Sequence, residues 1–203
     1  MIKKIIAFTI LTSLSVTSLW ASEKDQDYKV IAGNDLVSLG TFSDWEAFFL
    51  RQDNEILCWV STYPVSFKKD KEQKKKPASY LMTSVRPMRN IRDEFSFHIA
   101  SNFSEDKKVN ISIDKRVHYT LDPQGNWAWL RSPLDEGRMV VSSRNGNYLT
   151  SSYYKEGSED KVTERFSLKG YTKAYETALE KCAPYFHKDE ESDEKTAQKL
   201  EKP

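Results

Sequence analysis

Val109-Asn110-Ile111-Ser112-Ile113-Asp114-Lys115-Arg116-Val117-His118-Tyr119-Thr120-Leu121 is the stretch whose reading decides the fold. Val109, Ile111 and Ile113 alternate with Asn110, Ser112 and Asp114, and then Val117, Tyr119 and Leu121 alternate with His118 and Thr120. A period of two puts one set of side chains against a core and the other in water, which is the signature of half-buried strands. The same rhythm extends in both directions. Upstream, Phe95, Phe97 and Ile99 alternate with Ser96, His98 and Ala100; Tyr80 to Val85 is another candidate strand; and Ile56 to Tyr63 is apolar on both faces, as a central strand would be. Downstream, Asp122-Pro123-Gln124-Gly125 reads as a turn, followed by alternating Trp127 and Trp129. Short strands at such spacing imply a mainly β domain, an antiparallel β-sandwich or barrel-like fold, rather than a βαβ sheet.

Two helices complete the expected architecture. Ser132-Pro133-Leu134-Asp135 has a hydroxyl at the cap, Pro at the first helical position and an acid to meet the free amides. That short helix is expected to end at Asn145-Gly146, closed by a left-handed residue. A hairpin of Tyr148–Tyr154 and Val162–Leu168 should follow, and then a docked C-terminal helix. In this helix Tyr171, Ala174, Tyr175, Ala178, Leu179 and Cys182 fall on a single apolar face, and Pro184 ends it.

The sequence divides into three parts. Residues 1–21 read as a secretory signal peptide: Lys3 and Lys4 precede the uncharged run Ile5 to Leu19, and Ala21 is a small residue at the expected cut. That run is shorter than the ~20 apolar residues a membrane span needs, so no integral membrane segment is expected after cleavage. Residues 22–186 form a single domain, and 187–203 a charged tail. Export makes Cys58 and Cys182 read as one structural disulfide, two separate buried thiols being the alternative. The expected compartment is the periplasm, with the cell surface or the medium beyond it.

Lys and Arg total 31 against 30 Asp and Glu, for a net charge of +1, which argues against a dedicated nucleic-acid binder. Catalytic residues are not evident. His98 and His118 fall on the polar phase of their strands and are expected to face solvent, and no nucleophile, metal or phosphate-loop motif occurs, so neither a metal nor a cofactor is expected. The sharpest charged feature is Lys68-Lys69-Asp70-Lys71-Glu72-Gln73-Lys74-Lys75-Lys76. Lys68, Lys69, Lys71, Lys74, Lys75 and Lys76 are candidates for contact with an anionic partner such as lipid headgroups, lipopolysaccharide or glycosaminoglycan. The plainer reading is a solvated connection between two strands. Trp127 and Trp129 share one strand face and could form a flat platform, although burial in the core is the more usual fate of such residues.

The order of several landmarks carries a resemblance. Phe42-Ser43-Asp44-Trp45 is followed by Cys58 within a strand, then by Tyr80-Leu81-Met82 leading into Arg86-Pro87. Met139 to Gly146 ends in Arg144-Asn145-Gly146, and Phe166-Ser167-Leu168-Lys169-Gly170-Tyr171 opens the helix that contains Cys182. In this order the chain, from about Leu39 to Cys182, resembles the invasion-associated locus B proteins of alphaproteobacteria. Its departures are the Lys68–Lys76 run, the charged tail, and Tyr171 where the family has Phe. The resemblance implies a non-enzymatic periplasmic or surface-associated protein linked to entry into, or survival with, host cells. It carries over no catalytic residue, only the Cys58–Cys182 pair as a disulfide. The partner would be a host-cell surface component or, for an envelope-maintenance module, a bacterial envelope protein or small ligand.

Overall fold

The computed structural model describes residues 35–52, 55–66 and 78–186. The leader at 1–21, the Lys68–Lys76 run and the tail at 187–203 lie outside the described residues. The elements in chain order are β1 (Asp35–Phe42), β2 (Trp45–Gln52), β3 (Glu55–Thr62), β4 (Ser79–Arg86), β5 (Ile91–Ile99), β6 (Val109–Ile113), β7 (Val117–Gln124) and β8 (Trp127–Trp129). Helix α1 (Pro133–Asn145), β9 (Tyr148–Tyr154), β10 (Lys161–Ser167) and α2 (Tyr171–Cys182) follow.

All ten strands join one antiparallel sheet in the order β1-β2-β3-β4-β5-β8-β7-β6-β9-β10. It is not closed, so of the two forms expected from the strand pattern the sandwich-like one describes it. The sheet folds back so that its halves share a core. Phe97 on β5 meets Tyr153 on β9 and Phe166 on β10, with ring centroids 5.3 and 5.8 Å apart. At the mouth of this fold the Trp45 indole N–H donates to the Ser167 carbonyl at 2.9 Å, and the Asp44 amide to the Lys169 carbonyl at 3.1 Å.

Most of the alternating residues fill the core as the pattern requires, but Val117, at the first position of β7, is exposed. Val109, Ile111, Ile113, Tyr119 and Leu121 are buried, as are Phe95, Phe97 and Ile99. Where the sequence suggests a turn at Asp122–Gly125, β7 instead runs on through Gln124, with Pro123 opposite Ala128. Gly125 at φ +60° and Asn126 make the actual reversal. Helix α1 begins at Pro133 as expected, but Ser132 makes no side-chain cap bond. Gly146 beyond its end is extended, with φ −93°, rather than left-handed. Glycine is needed there for space, because a Cβ would lie 2.5 Å from Ile113 and 2.8 Å from Leu168.

Helix α2 lays Tyr171, Ala174, Tyr175, Ala178 and Cys182 against β1 to β4, all five buried. The Cys58–Cys182 disulfide, with an S–S distance of 2.08 Å and Cα atoms 6.1 Å apart, fastens it to β3.

Candidate binding face

Because Leu81, Phe97 and Ala128 stand side by side on adjacent strands and all point into the core, the residues flanking them must point out. Two rows of outward side chains result. In the first, Tyr80 on β4 is opposite His98 on β5, and His98 is opposite Trp127 on β8. In the second, Met82 is opposite Ser96 and Ser96 is opposite Trp129.

The rings form a continuous half-buried ridge. Tyr80 stacks on the His98 imidazole at 4.6 Å, with 24° between the planes. His98 meets Trp127 edge-on at 4.7 Å, and Trp127 lies nearly parallel to Trp129 at 5.9 Å and 18°. Tyr63 extends the ridge through an edge contact with Tyr80 at 6.4 Å. The Asn126 carboxamide donates to His98 Nε2 at 2.9 Å, which needs a neutral imidazole. Burial among the rings pushes the His98 pKa down and so favours that form. Asp122, opposite Trp129, borders the ridge and pairs with Lys108 and Arg131.

Further along the same face the surface turns aliphatic, then ionic. Phe48 stacks on Trp59 at 4.9 Å, and Leu50 and Leu57 are opposite each other. Leu50 and Leu57 border a groove shared with Arg86, which holds Glu55 at 2.9 Å and Glu94 at 2.8 Å. Burial works against the Arg86 charge, but the bonds to Glu94 and Glu55 outweigh it and leave the pKa raised. Beneath the aromatic layer, Ser84 and Ser96 are outward in phase yet buried, and neither hydroxyl has a hydrogen-bond partner. Their cross-strand neighbours Trp59, Met82 and Trp129 are large enough to cover them.

This arrangement corrects two expectations. Trp127 and Trp129 do not enter the core. Ala128 takes the inward position of β8, next to a Phe97 ring already enclosed by Phe103, Tyr153 and Phe166. His98 does face outward, but Tyr80 and Trp127 cover much of it. His118 is exposed on β7 opposite Ser112, and β8 separates the strands that carry the two histidines. Among the described residues no group of three or more His, Cys, Asp or Glu could hold a metal ion. The six lysines of the 68–76 run lie outside the described residues; their segment joins β3 to β4 between Ser66 and Ala78.

A second group of polar residues, unmarked by any motif, lies where α1 meets β5. Of the nine residues of β5, β8 pairs with Ser96 to His98 alone, so β5 continues beyond its neighbour. There the Glu136 carboxyl of α1 accepts the Phe95 amide at 2.6 Å, beside a cavity of about 380 Å³. Burial, together with Glu94, Asp93 and Asp135, pushes its pKa up to about 8. An acid so raised suggests proton transfer, but the neighbouring carboxylates are already engaged. Asp93 accepts from the Tyr175 hydroxyl of α2, and Glu94 holds Arg86 of β4. The cluster ties β5 to the elements around it.

No protein-family model, no curated protein and no solved structure matches the chain.

Proposed function

We propose that the chain is an exported, non-enzymatic protein associated with host-cell invasion or host interaction, acting by binding through the outer face of its sheet. The observation that carries this reading is the ridge of Tyr80, His98, Trp127 and Trp129. Indoles and a phenol held half-open on a rigid sheet are what recognition surfaces use, since they offer large contact area with little conformational entropy to lose. The landmarks resembling invasion-associated locus B proteins, the leader-like first 21 residues and the disulfide support the exported, host-directed side of the reading.

Binding of the purified, oxidised chain to intact host cells tests the proposal, with an unrelated exported protein as control. The chain should bind saturably. The double variant Trp127→Ala/Trp129→Ala should bind at least tenfold more weakly while keeping its disulfide and its melting transition. Equal binding by the variant would refute the assignment of this face. No binding above control would direct the search to a bacterial envelope partner.

A further inference from the structure

We infer that the outer face is also the contact between two copies of the chain, a two-fold dimer in which the aromatic ridge of each copy lies in the groove beside Leu50 and Leu57 of the other. The inference rests on the reading of this face as the contact surface and concerns its regulation, because a copy held in this way has no face left for another partner.

Three observations argue for a second copy. The first is what lacks cover. Strand β3 is apolar on both sides: Cys58 and Val60 are buried beneath α2, whereas Leu57 and Trp59 point outward and are only half-buried. A strand apolar on both sides ordinarily has a layer against each. Both helices pack on the inner side, α2 against β1 to β4 and α1 against β5 and Tyr119, so among the described residues no second layer covers the outer one. The uncovered band runs from Leu50 and Leu57 through Phe48, Trp59 and Met82 to Trp129.

The second observation is that the two ends of this band fit each other. One end is the ridge of Trp127 and Trp129. The other is a groove of about 530 Å³, whose lining includes Leu50, Leu57, Arg86, Met88 and Arg89. Met88 is 42% exposed, an unusual position for a large apolar side chain. Arg89 reaches Glu55 at 3.4 Å, but Arg86 already holds that carboxyl at 2.9 Å. An exposed thioether and a guanidinium are groups that pack well on indoles, the cation meeting the negative face of the ring. A two-fold axis lying between two facing sheets, across the middle of the band at Trp59 and Met82, sets each ridge on the opposite groove. An isologous contact makes the same pairing twice, so a face that carries both a ridge and its groove is complementary to itself.

The third is area. The band crosses five strands about 4.8 Å apart and four outward rows about 6.7 Å apart, a footprint of roughly 500 Å² on each copy. Two copies then bury about 1,000 Å² in all, the lower bound for a specific interface. The dimer expected is one that forms and dissociates in the micromolar range, which leaves the face available in dilute solution.

The test measures the mass of the full-length oxidised chain by light scattering and sedimentation, from about 1 to about 300 μM. The mass should rise from one chain to two, with a blue shift of tryptophan emission over the same range. Trp127→Ala/Trp129→Ala at one end and Met88→Glu at the other should each weaken the dimer at least tenfold. Met88 is exposed, so its substitution controls for folding. Leu134→Gln, on the exposed side of α1, should leave the dimer unchanged. Mixing the tryptophan variant with Met88→Glu should restore dimers, because one of the two contacts in the mixed pair is then native.

A mass of one chain throughout would overturn the inference. So would a dimer that ignores either end of the band, or a mixture of the two variants that forms no more dimer than each alone. Failure of the underlying reading is recognised separately. A chain that stays monomeric yet binds cells through its tryptophans removes the dimer and keeps the face as the contact surface. Above the midpoint of dimerisation, Met88→Glu should occupy cells more fully than the native chain. Equal occupancy, with the dimer established, would show that cells are met by another surface.

Discussion

Gly170 precedes α2 with φ +94°, and a Cβ placed on it would lie 1.8 Å from the Phe42 carbonyl oxygen. Both the dihedral and the close approach exclude an L side chain, and the contact is with backbone that cannot rotate away. Gly170→Ala should therefore cost about 2–4 kcal/mol in urea unfolding, well above a surface substitution. Glu136 gives a pH-dependent counterpart. Its pKa is raised from 4.5 to about 8 in the fold, so the protonated form is favoured on folding. The stabilisation it contributes is complete below about pH 4.5 and is lost as pH rises through 8. Across that window the melting temperature of the native chain should fall relative to Glu136→Gln, whose neutral amide can accept the Phe95 amide without a charge; parallel pH profiles for the two would refute this assignment. At this scale the sequence was legible only by phase. Alternation at Trp127-Ala128-Trp129 says that the indoles share a face, but not which face is inside. That depends on the pairing of Ala128 with Phe97, a residue thirty-one positions away, so a size rule favouring buried indoles misplaces them. Glu136 was equally illegible, since its surroundings come from β5.

At the scale of elements, local rules carried much further. The apolar face of α2 could be read from its spacing, as could most of the strands from β3 to β10, because each forms its pattern within a dozen residues. Asp122-Pro123 misled because proline usually marks a turn; here β7 continues through it to pair with the three-residue β8. Strands β1 and β2 follow the general alternation of this part of the chain, yet their separate limits depend on pairing: Gly40 sits in an irregular step of the β1–β2 register. The Cys58–Cys182 bridge, expected from an exported chain with two cysteines, joins an inner strand to the last helix across a sequence separation of 124. On the chain-entropy model, closing a loop of that size stabilises by roughly 4–5 kcal/mol. Reduction should accordingly lower the unfolding free energy by about that much, with α2 exchanging its amide hydrogens sooner than β6 and β9. Uniform loss of protection across the sheet would show that the bridge steadies the whole molecule rather than this junction.

Over the whole molecule, one sheet supplies both surfaces that matter. Its inner side is covered by its own far half and by α2, while its outer side at β4, β5 and β8 carries the aromatic ridge. The cross-strand pairs that bury Leu81, Phe97 and Ala128 also align Tyr80, His98 and Trp127, so core and outer ridge share a register and cannot be shifted independently. Such a face is rigid by construction, and a partner need not organise it on arrival. The bridge that anchors α2 has one more consequence. Because Cys58 and Cys182 bracket β4 through β10, any single break in the backbone between them leaves both fragments attached through sulfur. A protease that cut once within this span would release neither half, and the aromatic ridge would stay on a molecule of unchanged mass but for one added water.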